Sequence, residues 1–250
     1  MELNKIYNLD VIEGLKSLEQ NSVDLIVTSP PYNLSIDYSD NTDNLTYEDY
    51  LSWVDRWIYY SKLVLKEGGR ICINVPMESN LTGKRFMASD YINLLEASGM
   101  IRMANITWDK QNLTKRTAWG SWKSPSSPCV NTPLECILVY GKDTKKHIGR
   151  SEDIDITRDE FILYTLGVWK MSPAKKSKVG HPAPFPEELP YRCMKLFSYR
   201  NDLVLDPFVG SGTTAIVAKK LGRNYIGFDI SPEYCKLANE RINSVEVNEV

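Results

Sequence analysis

Apolar positions along the chain fall into two kinds of run. Compact ones such as Asp24-Leu25-Ile26-Val27, stopped by Ser29-Pro30-Pro31, fit buried parallel strands that end in loops. Longer ones repeat with helical spacing: between roughly Thr46 and Leu65 they are Tyr47, Tyr50, Leu51, Val54, Trp57, Ile58 and Leu65. Gly68-Gly69 should end that helix, with Arg70–Val75 returning as a strand. By the same reading Asn4–Asn8 is a short strand and Val11–Leu18 a short helix. Ile101–Trp108 and Leu134–Val139 are strands on either side of the loop-like Trp119–Pro128, and residues 142–178 have mixed charge and weak periodicity. From Pro186 onward the pattern predicts a helix near Glu187–Phe197, the strand Leu203–Leu205, a Gly-rich turn and a helix near Thr213–Leu221. The strand Tyr225–Phe228 and a last helix, Pro232–Ile242, complete it. Strands alternating with helices predict an α/β fold, a doubly wound and mostly parallel sheet with helices on both faces.

Composition narrows the class. At 250 residues and 42% hydrophobic content the chain can bury one large core, so residues 1–250 are expected to be a single domain. No apolar run reaches the length of a membrane span, and Met1-Glu2-Leu3-Asn4-Lys5 lacks a signal-peptide core, so a cytoplasmic protein is expected. The five Cys are scattered without a Cys-x-x-Cys pair and only His147 and His181 occur. Reduced thiols and no metal centre are therefore expected. The net charge of −2 hides an asymmetry. Residues 102–178 hold 14 Lys or Arg against 8 Asp or Glu, a net of +6, which leaves −8 for the remainder. A basic stretch on an acidic domain suits a polyanion, although a solvated charged face has the same signature.

Two constellations carry chemistry. Asp206-Pro207-Phe208-Val209-Gly210-Ser211-Gly212-Thr213-Thr214 follows an apolar strand and opens a helix. Glycines there allow a tight turn and close approach to a ligand, and the helix start offers free N–H groups. Asp229 closes the next strand, where an acid can accept hydrogen bonds from ribose hydroxyls. Gly210-x-Gly212-x-x-Ala215 also satisfies a loose dinucleotide fingerprint, which leaves a nicotinamide-dependent oxidoreductase as a rival. The second is Thr28-Ser29-Pro30-Pro31-Tyr32. Consecutive prolines stiffen a loop and present carbonyls, a Ser hydroxyl beside them can help hold an –NH2 group, and Tyr32 offers a stacking face.

Together these motifs resemble the DNA amino-methyltransferases, the N4-cytosine and N6-adenine family, in its β arrangement. Ser29-Pro30-Pro31-Tyr32 matches that family's catalytic loop and Asp206–Thr213 its cofactor loop, in that order. His181-Pro182-Ala183-Pro184-Phe185-Pro186-Glu187-Glu188-Leu189 matches the segment before the latter. The resemblance implies a Rossmann-like methyltransferase sheet with S-adenosylmethionine as cofactor. Residues 1–141 would be the catalytic-motif half, 142–178 a small irregular target-recognition insertion and 179–250 the cofactor-binding segment.

Position by position, the resemblance implies that Asp206, Pro207, Phe208, Gly210, Ser211 and Gly212, with Thr28, hold the methionine end of the cofactor. Thr213 and Thr214 would lie beneath it and reach its carboxylate, Asp229 would bind the ribose, and Phe185 would pack near the methionine portion. Asp10 would contact the adenine, or cap the helix at Val11 instead. Ser29 and the Pro30 carbonyl would hold the amine of a base flipped out of duplex DNA, Pro31 stiffening the loop and Tyr32 stacking on the ring. Ser at position 29 favours cytosine N4, and N6-adenine is the alternative; an RNA or protein substrate is more remote. Lys142, Lys145, Lys146, Arg150, Lys170, Lys175, Lys176 and Lys178 would contact phosphates, and Trp119 and Trp122 would line the base pocket or belong to the core. Cys129 is read as incidental. A cognate restriction endonuclease, a homodimer and a prokaryotic, nucleoid-associated location are the partners and setting the family implies.

Overall fold

Val23–Thr28 is buried at every position and becomes an inner strand, β2. The computed structural model describes residues 1–33, 45–78, 85–111, 120–128, 130, 132–174 and 185–245. The other strands are β1 (Lys5–Asn8), β3 (Leu65–Pro76), β4 (Ile101–Asp109), β5 (Leu134–Gly141), β6 (Val168–Lys170), β7 (Leu203–Asp206) and β8 (Asn224–Asp229). The helices are α1 (Val11–Ser17), α2 (Tyr47–Val64), α3 (Met87–Ala97), α4 (Arg158–Tyr164), α5 (Glu188–Phe197), α6 (Thr213–Lys220) and α7 (Pro232–Asn243). All eight strands form one sheet in the order β1-β8-β7-β2-β3-β5-β4-β6. Only β5 opposes its neighbours, pairing antiparallel with both β3 and β4.

Two buried clusters cover the two faces. One joins Ile26, Ile71 and Ile73 of the sheet to Leu15 of α1, Tyr50, Val54, Trp57 and Ile58 of α2, and Tyr91 of α3. The other joins Leu25, Val27 and Val204 to Cys193 and Met194 of α5 and Ala215–Ala218 of α6. Burying each large side chain contributes roughly 1.5–3 kcal/mol, so α2 is held mainly by this face and less by its cap. At the cap, Thr46 Oγ1 accepts from the Asp49 amide at 3.2 Å. No helix among the described residues is long and apolar enough to cross a membrane. The four described cysteines are buried free thiols, and Cys129 lies outside the described residues.

Three features depart from the sequence pattern. Helix α2 passes straight into β3 at Leu65, which pairs with Val23, so Gly68-Gly69 lies inside the strand and not at a helix end. Gly68 has φ +71°, and a Cβ there would meet the Lys146 carbonyl oxygen at 2.2 Å. Helix α3 has no side-chain cap at Phe86 and gave no start signal. Finally, part of 142–178 is regular, since it supplies α4 and the edge strand β6.

The winding places a crevice. From β2 the chain moves through α2 to β3 on one side, and from β7 through α6 to β8 on the other. The direction reverses between adjacent β2 and β7, and ligands of open α/β sheets bind beyond the carboxyl ends of strands at such a point.

Candidate active site

Both sequence motifs leave the sheet at that crevice. Asp206, 2% exposed, is the last residue of β7. Its Oδ1 accepts from Thr28 Oγ1 at 2.7 Å and from the Phe208 amide at 3.1 Å, and its Oδ2 from Thr214 Oγ1 at 2.6 Å. Burial pushes its carboxyl up to about 6; the hydrogen bonds pull the other way, and Asp229 adds to the rise. Thr28 and Thr214 therefore act on Asp206, which uses the hydroxyl that Thr214 was expected to offer a cofactor carboxylate. Pro207, Ser211 and Thr213 are buried beside them, and the Arg241 guanidinium donates to the Ser211 carbonyl from α7.

The glycines are needed for shape. Gly210 has φ +48° and Gly212 φ +84°. A Cβ on Gly212 would stand 2.9 Å from Ala238 Cβ and 3.1 Å from its Cα, so the turn packs directly on α7. Asp229, at the end of β8, accepts from the Gly210 amide and the Ser231 amide, each at 2.9 Å. Burial raises its carboxyl above the ordinary value while those amides pull it back. A carboxylate has about four acceptor positions, so Asp229 retains capacity for hydroxyl donors. Asp10 follows β1 beside it and accepts from the Ile12 amide at 2.8 Å, so it is the cap of α1. Phe208 packs on Trp53 and Trp57, ring centroids 5.5 Å away in each case, and Phe185 is half-buried against the α5–α6 side of the core.

The loop after β2 is braced by residues that its own motif does not contain. Ser29 Oγ lies 2.5 Å from Tyr32 Oη. Tyr32 Oη donates to the Asn74 carbonyl (3.0 Å) and accepts from Asn74 Nδ2 (3.1 Å). Asn74 is buried in β3 and also donates to Glu135 Oε2 at 2.5 Å, and Lys110 pairs with Glu135 Oε1. Tyr50 Oη, 2.7 Å from Tyr91 Oη, donates to the Pro31 carbonyl at 3.0 Å. Asn33, with φ +53°, closes the loop by donating to the Leu45 carbonyl at 2.9 Å and accepting from its amide at 3.1 Å. Asn74, Glu135, Lys110 and Tyr50 were missed because they are scattered polar positions in strands, a loop and a helix. The one available signal was a polar Asn within the apolar Arg70–Val75 run.

The basic residues are divided by the fold. Because β5 runs against β3, the segment after Gly141 emerges at the opposite edge of the sheet from the crevice. Lys142 Nζ there donates to the Leu65 carbonyl and to Asn21 Oδ1, each at 2.7 Å, and Arg150 pairs with Asp153. The exposed Lys145 and Lys146 occupy the same loop, so these four, expected to meet phosphate, are turned away from the crevice. Lys170 is different: it ends β6 opposite Asp109, at the crevice edge, and is exposed. Lys175, Lys176, Lys178, His181 and Trp119 lie outside the described residues, whereas Trp122 is 63% exposed with Lys123 over its ring. Also at the opposite edge, Asp24, His147 and Asp202 converge, and the Lys66 ammonium lies on both Asp24 oxygens at 2.7 and 2.8 Å.

Comparison with known proteins places this arrangement. The family model of the N6/N4 DNA methylases matches residues 23–240. The chain is 34% identical to the type II methyltransferase M1.MboII of Moraxella bovis, over 99% of this chain and 100% of that one. It is also 34% identical to the type II methyltransferase M.HpaI of Haemophilus parainfluenzae, over 94% of this chain and 73% of that one. Among solved structures, the DNA modification methylase TTHA0409 of Thermus thermophilus, complexed with S-adenosyl-L-methionine, superposes with a TM-score of 0.76. That likeness has 27% identity and covers 95% of this chain and 94% of the other.

Proposed function

The chain belongs to the N6/N4 DNA methylase family, and from that premise we propose that it transfers a methyl group from S-adenosylmethionine to cytosine N4 in duplex DNA. Membership also sets aside the nicotinamide reading of the Gly210 turn. The observation that carries the proposal is the Ser29–Tyr32 loop, whose serine follows directly on a threonine bonded to Asp206.

The donor set fits the cofactor. Asp206 is a desolvated carboxylate of the kind an ammonium group would hold ionised. Asp229 keeps acceptor capacity for two ribose hydroxyls, and the amides opening α6 complement a carboxylate. Bound there, S-adenosylmethionine supplies an electrophilic methyl group on a cationic sulfur. Phe208 and Phe185 supply apolar contact beside it.

On the other side of Thr28 the protein holds the acceptor amine. Ser29 Oγ and the Pro30 carbonyl accept its two hydrogens, so the nitrogen lone pair is left to point at the methyl group. Tyr32 stacks on the base, which must leave the duplex for amine and donor to meet. Transfer is direct, with the proton leaving the nitrogen as or after the bond forms, and no side-chain nucleophile takes part. Ser29 favours cytosine, as it accepts from the amine without adding a charge. Lys170, with the basic residues that follow it, is placed to hold phosphate next to the crevice, whereas residues 142–150 are not.

The test is to incubate the protein with S-adenosylmethionine and mixed-sequence duplex DNA, digest to nucleosides and identify the methylated base by mass spectrometry. N4-methylcytosine, absent with Ser29→Ala, is the expected product. N6-methyladenine would overturn the choice of base, and absence of any methylated base would overturn the substrate.

A further inference from the structure

We infer that Lys110, Glu135 and Asn74 form a directional hydrogen-bond chain that makes Ser29 an obligate acceptor toward the substrate amine. The inference rests on the reading of Ser29 given above and deepens it. Lys110 pairs with Glu135, and the Glu135 carboxylate can only accept, so it fixes the Asn74 amide with Nδ2 toward it at 2.5 Å. The opposite orientation would set Asn74 Oδ1 against a carboxylate oxygen. The second Nδ2 hydrogen is then aimed at Tyr32 Oη, 3.1 Å away. Tyr32 has one hydroxyl hydrogen, and the Asn74 carbonyl takes it at 3.0 Å, since a carbonyl has nothing to donate.

The Ser29–Tyr32 contact at 2.5 Å must therefore run from Ser29 to Tyr32. With its only hydrogen used, Ser29 Oγ presents lone pairs alone. It can receive an –NH2 hydrogen but cannot donate to a keto oxygen. The chain thus selects amino over keto edges, as the reaction requires, and leaves the amine hydrogens nowhere to go but toward Ser29. Lys110, Glu135 and Asn74 are positioning residues; none needs to touch the base.

A double-mutant cycle on kcat tests this. Glu135→Gln, which makes the Asn74 orientation ambiguous, should lower kcat about 10-fold, the worth of one well-placed hydrogen bond. S-adenosylmethionine affinity should stay unchanged. Tyr32→Phe should lower kcat as well, and adding Glu135→Gln to it should cost less than about twofold more, because the chain acts through the Tyr32 hydroxyl. Should Glu135→Gln fail to fold, as judged by its melting curve, Lys110→Met from the outer end of the chain replaces it in the same cycle. Wild-type kcat in the single variant, or an equal loss with and without the Tyr32 hydroxyl, would overturn the inference. Ser29→Ala run alongside separates the two levels: full activity there defeats the reading of Ser29 itself, whereas its loss with an additive cycle defeats only the chain.

Discussion

The two halves of the site are supported in different ways. In the turn after β7, Asp206 takes hydrogen bonds from Phe208 and Thr214 of its own motif, and Gly212 rests on α7. The Ser29–Tyr32 loop depends instead on Asn74 of β3, Glu135 of β5, Lys110 beyond β4 and Tyr50 of α2. The halves meet where Thr28 donates to Asp206 and where Phe208 packs on Trp53 and Trp57. A locally closed turn tolerates change elsewhere; a loop braced from four elements transmits it. Cofactor binding should therefore answer to substitutions within residues 206–229, and turnover to substitutions far from Ser29 in sequence.

The sharpest break is Asp206→Asn. Losing the carboxylate opposite an ammonium should weaken S-adenosylmethionine binding by about 100-fold, measured by calorimetry, because such a charge pair is desolvated. The same group gives the binding a pH dependence. Its carboxyl is held up to about 6 in the free protein. Below that value a bound ammonium must expel a proton, so affinity should fall up to about tenfold per pH unit and be flat above. Stability has the opposite sign. A raised carboxyl favours the fold below the ordinary carboxylate range, and this contribution is lost as pH rises through about 6. Asp206→Asn should flatten both profiles.

Gly212→Ala comes next. A left-handed backbone and a Cβ driven against Ala238 should cost about 2–3 kcal/mol in denaturant melts, with cofactor binding impaired more than the Ser29 loop. The smallest effect belongs to Asp10→Ala. As the cap of α1 it should cost about 1 kcal/mol and leave the cofactor dissociation constant within about twofold; a larger loss of affinity would show that Asp10 also touches the ligand.

The same contrast explains what the sequence could tell. The Asp206–Thr214 turn was legible because strand, Gly-rich turn and helix start are contiguous, and chemistry and shape are written in one stretch. Ser29–Tyr32 was legible as a motif, but its supports were not. Asn74 and Glu135 stand 61 positions apart and meet only because β3 and β5 pair. The direction of β5 is equally invisible to hydrophobic patterning, since a buried run reads the same up or down. That one reversal sent Lys142, Lys145, Lys146 and Arg150 to the wrong edge for a phosphate role. Helix α3 escaped because Phe86 offers no cap hydrogen bond, and β6 because Val168–Lys170 is too short to show a period.

The most direct test of the division between the two halves is a paired measurement on Ser29→Ala: the S-adenosylmethionine dissociation constant and the single-turnover methylation rate on duplex DNA. The account predicts an unchanged dissociation constant and a rate lowered by about 100-fold or more, because the amine loses its aim while the donor stays in place. A weakened dissociation constant with a near-normal rate would contradict it, placing Ser29 on the cofactor side.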